Sequence, residues 1–146
     1  MVNKTNSPTI AYLAFAFSKN PTVMTQKAHL LALKIMEKRP DWFVLVPHFA
    51  VDAMLDGVVD WKKDYCFDEN RRMIGGLMSL AFLSNAHILI LGIEPKYEYS
   101  SGVTWENIFV HLLNKSWRKN NPIQIVRVKD IIGECEYKKI IGDEFE

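Results

Sequence analysis

Glu106 is the residue of this chain whose type and position best suit catalysis. It follows an apolar, β-branched run at residues 87–93 that predicts a buried strand, and apolar residues at helical spacing come after it. Ligands of open α/β sheets bind beyond the carboxyl ends of the strands, so this acid is well placed to meet a small molecule. A helix dipole also favours an acid in the first helical turn without any function. Position alone leaves both interpretations open.

An unassisted carboxylate suits attack on an electrophilic carbon, as in glycosyl transfer through a covalent sugar–enzyme ester. A second group must then protonate the departing base or alcohol. His48, close after a predicted strand, is one candidate for this group. The other candidates are acids of a loosely patterned stretch where functional loops usually lie, and surface charge explains them equally well: Asp52, Asp56, Asp60, Asp64, Asp68 and Glu69.

Candidate substrate-binding residues accompany the first and third predicted strands. Ser100 and Ser101, just before Gly102, can donate hydroxyl or backbone N–H bonds to a sugar or phosphate at a helix N-terminus, or they can simply be turn residues. Gly102 can let the backbone approach a ligand or simply adopt a positive φ. Aromatic rings at a strand end stack well on a nucleobase, and they also fill cores. Three such residues lie on and just after the first predicted strand: Tyr12, Phe15 and Phe17.

Length and charge narrow the class of protein. The 146 residues suit one domain, residues 1–146, and a formal net charge of +1 provides no basic field that would draw the chain to a nucleic acid polymer. Small-molecule or protein partners are therefore expected. No apolar stretch approaches the ~20 residues that cross a bilayer, so we expect no membrane association.

Short motifs exclude further classes. Cys66 and Cys135 lack metal-ligand spacing, which argues against a zinc site or a disulfide framework and favours a reducing cytoplasm, although a single disulfide between them stays open. The chain contains no Walker loop, and Gly75 with Gly76 is not a dinucleotide fingerprint. Nucleoside triphosphate and NAD chemistry are disfavoured. We expect a cytoplasmic protein.

Strands and helices alternate along the chain. Strands are predicted at 9–15, 42–46, 87–93 and 123–128, and helices at 22–38, at 71–83 and from about 103. This alternation predicts a flavodoxin-like, three-layer α/β domain with a mostly parallel sheet of four or five strands and helices on both faces. Strand order 2-1-3-4 places residues 15–20 and 99–106 at one crevice. Residues 129–146 are ambiguous, and 134–140 alternate enough for an edge strand.

Helical periodicity predicts which side chains face the core. The first predicted helix presents Met24, Ala28, Leu31 and Ile35. The second presents Met73, Ile74, Leu77, Met78 and Ala81, and its paired glycines suggest close packing or close approach of a ligand. The third presents Trp105, Ile108, Phe109 and Leu112.

Three segments, residues 10–17, 84–91 and 100–106, together resemble the nucleoside 2-deoxyribosyltransferase-like superfamily. Its members show a Tyr-Leu-Ala type of first strand, a Ser-x-Ala-Asp entry to the third strand, and a Ser-Gly-x-x-x-Glu segment whose glutamate is the nucleophile. The spacing from Gly102 to Glu106 matches the last of these motifs.

The resemblance implies that Glu106 attacks the anomeric carbon of a nucleoside or nucleotide and that the base is released or exchanged without a metal or an organic cofactor. Tyr12 and Phe17 match substrate contacts of the first strand, and Ser101 with Gly102 matches the loop that holds the sugar or its phosphate. The resemblance also implies a homodimer or higher homo-oligomer in which a neighbour completes the pocket.

Two departures from the family pattern support an alternative. His87 stands where the family has aspartate, and residues 15–17 replace the usual Gly-Pro-Phe or Ser-Pro-Tyr ending. The alternative is a non-catalytic nucleotide-binding or sensing module of the same fold. A lone histidine at the start of a buried strand is itself more typical of a structural residue. A third hypothesis is a protein-interaction surface formed by Trp42, Trp61 and Trp117.

Overall fold

The computed structural model describes residues 9–16, 21–47, 69–94 and 97–142, and it shows a four-stranded, fully parallel sheet with the strand order β2-β1-β3-β4. The predicted order is confirmed, and the chain has the flavodoxin-like α/β fold. In chain order the elements are β1 (Thr9–Ala14), α1 (Pro21–Lys38), β2 (Trp42–Leu45), α2 (Glu69–Ser84), β3 (Ile88–Leu91), α3 (Tyr97–Lys115), β4 (Gln124–Arg127), α4 (Val128–Ile132) and α5 (Glu134–Ile141).

The two central strands, β1 and β3, form the middle of the core. Every residue of β3 is buried. Residues 11–14 of β1 are also buried, and so is Phe15, which follows this strand. Strands that are covered on both faces lack the alternation of half-exposed strands, which is why these segments are continuous apolar runs in the sequence. Two helical layers cover them, with α1, α4 and α5 in mutual contact and α2 packed on α3.

The predicted inner face of α1 is confirmed. Met24, Ala28, Leu31 and Ile35 are each at most 1% exposed. These positions repeat at intervals of three and four residues, so one apolar stripe meets the sheet.

The predicted inner face of α3 is wrong at three of its four positions, and only Phe109 packs against the core. Trp105 and Leu112 are 57% and 61% exposed and Ile108 is also exposed, whereas Val103 and Val110 are completely buried. The helix carries two apolar stripes, and the one with the compact, β-branched residues packs against the sheet. Periodicity detects such stripes but does not choose between them.

The predicted inner face of α2 is wrong at two positions. Leu77 is 61% exposed and Ala81 is exposed, whereas Leu83 near the end of the helix is fully buried. A side chain added at Gly76 would meet open space, so the close packing suggested by the paired glycines is absent at this position.

The expected edge strand at 134–140 is instead the helix α5. Glycines with positive φ precede and follow it, Gly133 at 89° and Gly142 at 71°. Tyr137 and Ile141, four residues apart, form its buried side. The Tyr137 hydroxyl donates to the Gly92 carbonyl at 2.8 Å, so α5 is attached to the end of β3.

Gly92 joins the ends of the two central strands. Its N–H donates to the Ala14 carbonyl at 2.8 Å. A Cβ at this position would lie 2.7 Å from that oxygen and 2.8 Å from Phe15 Cδ1. Glycine is therefore required by the close approach of β1 and β3 at the carboxyl edge of the sheet.

Across the segments that the structure describes, none of the helices combines the length and the apolar character needed to cross a membrane.

Candidate functional site

The structure brings together two of the predicted site residues, Glu106 and Tyr12, which are 94 residues apart in the chain. Tyr12 lies in the middle of β1 and is completely buried. Its hydroxyl donates a hydrogen bond to Oε2 of Glu106. Glu106 therefore reaches from α3 to β1, one of the two central strands of the sheet.

Glu106 lies on the sheet-facing stripe of α3. It is three residues after Val103 and four before Val110, both of which are fully buried. Residues at this spacing share one helix face. A carboxylate thus occupies a position that the pattern of the helix would otherwise assign to an apolar side chain. The Tyr12 hydroxyl provides its hydrogen bond.

The position of Glu106 within α3 excludes one interpretation of the sequence, that of a first-turn acid stabilised by the helix dipole. The sequence pattern predicts that the helix begins near residue 103, but it begins at Tyr97, so Glu106 is in its third turn. The helix dipole acts within the first and last turns. Stabilisation by the dipole therefore does not account for this acid.

Burial raises the pKa of Glu106 to about 7 from its ordinary value of 4.5, and the hydrogen bond from Tyr12 opposes that rise. The residue as a whole is partly exposed, and its carboxyl group is the part that is withdrawn from water. No cation is among the causes of the shift, so only the Tyr12 hydrogen bond offsets the cost of desolvating the charge. The carboxyl group can exchange a proton close to neutral pH.

The two carboxyl oxygens of Glu106 have different surroundings. Oε2 accepts the Tyr12 hydrogen bond, while Oε1 has no hydrogen-bond partner among the described residues. A buried polar atom without a partner is uncommon in folded proteins. One oxygen is thus oriented by the fold, and the other keeps its capacity to accept a hydrogen bond.

Phe15 directly follows β1 and is 6% exposed, with its ring at the Gly92 backbone. The structure therefore places it in the core, and contact with a nucleobase remains a prediction. Phe17 and His48 lie outside the described residues, as do the candidate acids at 52–68. Glu69 is the first residue of α2, and its side chain is not described.

Ser101 and Gly102 are the fifth and sixth residues of α3 rather than a loop before it. Only the first four N–H groups of a helix lack an intrahelical acceptor. The expectation that the Ser101 backbone N–H meets a ligand at a helix N-terminus is therefore wrong. Gly102 is exposed, and a methyl group added there would have no neighbour within 4 Å. A role of the Ser101 hydroxyl in substrate binding remains a prediction.

His87 has a structural role at the amino end of β3. Its Nδ1 accepts the Ile10 N–H at 2.9 Å. An accepting Nδ1 carries no proton, so a proton on the neutral ring resides on Nε2. This confirms the expectation of a structural histidine.

One pair of charged residues at the carboxyl edge was not predicted from the sequence. Arg127 is the last residue of β4, and its Nε donates to Oε1 of Glu94, just after β3, at 2.8 Å. Arg127 Nη2 donates to Glu94 Oε2 at 3.4 Å. The available signal was a charged residue at the end of each of two predicted strands.

Two remaining expectations concern metals and tryptophans. The described part of the chain has no group of three or more His, Cys, Asp or Glu side chains that could hold a metal ion. Trp117 is 91% exposed, Trp42 is half-buried beneath Arg39, and Trp61 lies outside the described residues. A protein-interaction surface at these tryptophans remains a prediction.

The fold and the site together define an α/β protein with a buried tyrosine–glutamate pair between the central strand and the helix after β3. Comparison with protein-family models, with curated proteins and with solved structures finds no match to the chain. The resemblance to the nucleoside 2-deoxyribosyltransferase-like superfamily consequently depends on the three sequence segments alone.

Proposed function

We propose that the protein is a metal-free N-glycosidase or 2-deoxyribosyltransferase that acts on a nucleoside or nucleotide, with Glu106 as the nucleophile. The observation that carries the proposal is the hydrogen bond from the buried Tyr12 hydroxyl to the Glu106 carboxylate. It orients the same acid that the sequence motif singles out, and it stabilises the ionised form that a nucleophile requires.

In the proposed reaction, Oε1 of Glu106 attacks the anomeric carbon and forms an ester bond with the sugar. The bond from this carbon to the base nitrogen breaks, and its electron pair leaves with the base, which takes up a proton from an acid. Water or an acceptor base then attacks the same carbon and releases the carboxylate. Water gives hydrolysis and a second base gives transfer. His48 and the acids at 52–69 are the candidates for the proton donor.

The raised pKa of Glu106 fits a residue that must change its charge during a reaction. As a nucleophile it must first lose its proton, so the rate of ester formation is expected to rise with pH through about 7. A Glu106 that acted as a proton donor would show the opposite dependence, because its active form would be lost over the same range.

The alternative function is a nucleotide-binding or sensing module without turnover. The hydrogen bond from the Ile10 backbone to His87 Nδ1 favours it, because this nitrogen is occupied by the backbone and the chain lacks the family's aspartate at that position. A protein of this kind would bind nucleotides with an affinity that Glu106→Gln leaves unchanged.

Chromatographic detection of free base tests the proposal. Ribonucleosides, deoxyribonucleosides and their 5'-monophosphates are incubated with the wild type, with Glu106→Gln, and with the control Glu37→Gln, which removes a carboxylate that is 64% exposed on α1. Release of base by the wild type and the control alone supports the proposal. Nucleotide binding without turnover in any of the three proteins supports the sensing module.

A further inference from the structure

The carboxyl edge of the sheet carries a second charged feature beyond the Glu106 pair, the ion pair of Arg127 and Glu94. Its side chains are 53% and 40% exposed, so a ligand can reach them. Edges at the carboxyl ends of parallel strands are where α/β proteins of this topology bind their ligands. The question is whether this pair belongs to the same crevice as Glu106.

The strand register indicates that Arg127 and Tyr12 lie on the same face of the sheet. Tyr12 pairs with Leu89 of β3, and Leu91, two residues further along, pairs with Arg127. Paired residues of neighbouring parallel strands point to the same face, and so do residues two apart on one strand. Arg127 keeps an extended backbone, with φ −97° and ψ 141°, so the alternation holds up to this residue. Arg127 and Tyr12 therefore project from the face that α3 covers.

The spacing suits a small ligand that spans both features. Arg127 is two strands away from Tyr12, about 10 Å, and two residues closer to the carboxyl edge, about 7 Å. The two Cα atoms are thus roughly 12 Å apart, a distance that two long side chains and a small ligand can span together. The phosphorus of a nucleoside 5'-monophosphate is only a few covalent bonds from the anomeric carbon that Glu106 would attack.

The guanidinium retains donors for an anion. Arginine has five N–H groups, and Arg127 directs only Nε and Nη2 towards Glu94. Nη1 has no partner in the described part of the chain, so an anion can approach the Nη1 and Nη2 side without breaking the ion pair. The planar fork matches two phosphate oxygens. Glu94 and the charge of Asp130 both raise the pKa of Arg127, so the group stays ionised.

We propose that Arg127, oriented by Glu94, binds the 5'-phosphate of a nucleoside 5'-monophosphate whose anomeric carbon lies at Glu106. This assignment depends on the proposed function, and it specifies a nucleotide rather than a nucleoside as the preferred substrate. Glu94 fixes the guanidinium in the direction of the strand end, while its negative charge weakens the attraction for the anion.

Kinetics with matched substrates test the assignment. The ratio of kcat/KM for a nucleoside 5'-monophosphate to that for the same nucleoside is measured for the wild type, Arg127→Gln, Glu94→Gln and the charge-matched control Lys119→Gln, an exposed residue in the turn after α3. Arg127→Gln should lower the ratio by about tenfold to a hundredfold, the range expected for charge-assisted hydrogen bonds. Glu94→Gln should raise it, because the amide can still accept from Nε while the repelling charge is gone. Equal ratios in Arg127→Gln, Lys119→Gln and the wild type would overturn the assignment.

Calorimetry separates failure of this assignment from failure of the proposed function. The nucleoside, its 5'-monophosphate and inorganic phosphate are each titrated into Glu106→Gln and into Glu106→Gln with Arg127→Gln, which need no turnover. Tighter binding of the monophosphate than of the nucleoside, lost in the double variant, supports the phosphate site even if the wild type proves inactive. Binding of inorganic phosphate alone, or equal binding of nucleoside and monophosphate, would contradict it whether or not the wild type releases base.

Discussion

Two glutamates near the same edge of the sheet have opposite environments. Glu106 is buried against a neutral tyrosine hydroxyl, and burial raises its pKa to about 7. Glu94 is 40% exposed and has a cation as its partner, Arg127. Water and the guanidinium stabilise the charge on Glu94, whereas the charge on Glu106 is supported by a single hydrogen bond among the described residues. The first environment suits a carboxyl group that changes its charge near neutral pH, and the second suits one that keeps its charge.

The largest expected effect is on turnover. Glu106→Gln keeps the size of the side chain and an oxygen for the Tyr12 hydrogen bond but removes the nucleophile, so base release should fall by at least about a thousandfold. Glu94→Gln should leave hydrolysis of an unphosphorylated nucleoside within a few-fold of wild type. Rates of base release by chromatography measure both, and similar losses in the two variants would remove the functional distinction between the two glutamates.

Tyr12→Phe should have the next largest effect. The ring still fills the core, but the hydrogen bond that lowers the pKa of Glu106 is lost, so that pKa should rise further. The rate at neutral pH should fall by roughly tenfold to a hundredfold, and the pH at which activity reaches half its maximum should move upwards. A pH–rate profile measures this shift. A uniform fall with no shift would mean that Tyr12 does not tune the acid.

The same raised pKa predicts a pH dependence of stability. Between pH 4.5 and about 7 the folded state holds a proton on Glu106 that the unfolded chain has released. The stabilisation is therefore complete below pH 4.5 and is lost as the pH rises through 7, by as much as roughly 3 kcal/mol. Urea unfolding from about pH 4 to 9 measures it. The wild type and the control Glu37→Gln should both lose more stability over this range than Glu106→Gln does. Parallel curves for all three proteins would argue against a buried carboxylate.

Part of this arrangement follows from the sequence. The strand order and the buried face of α1 were predictable, because strands covered on both sides are continuous apolar runs and α1 has one apolar stripe. The α3 face was not, since that helix has two stripes and only contact with the sheet selects Val103 and Val110 over Trp105 and Leu112.

The candidate site was predictable in its residues but not in its contacts. The sequence points to both Glu106 and Tyr12, yet spacing along the chain does not show that a hydroxyl and a carboxylate 94 residues apart meet. The start of α3 was not predictable because two serines and a glycine before Glu106 favour a turn in isolation, whereas the folded chain continues them in the helix. The Arg127 ion pair depends on the register of β3 and β4, which a single strand pattern does not reveal.

A smaller effect is expected at Gly92, which joins the ends of β1 and β3. In Gly92→Ala the new methyl group would lie 2.7 Å from the Ala14 carbonyl oxygen, so the free energy of unfolding should fall by about 1–3 kcal/mol. The matched control is Gly102→Ala, an exposed position inside α3 with no neighbour near the methyl group, which should raise it by up to about 1 kcal/mol. Urea unfolding distinguishes them, and two changes of the same sign would contradict the close approach of the strands.

The smallest expected effect is the contribution of the exposed ion pair to stability. Because Arg127 and Glu94 keep much of their contact with water, Arg127→Gln should change the free energy of unfolding by at most about 1 kcal/mol, and the change should shrink at high salt. Unfolding in low and high salt measures this. A loss of several kcal/mol that salt does not reduce would mean that the pair is a structural element of the sheet edge. A small, salt-sensitive change would leave ligand binding as the function that the exposed pair can serve, in contrast to the buried acid beside Tyr12.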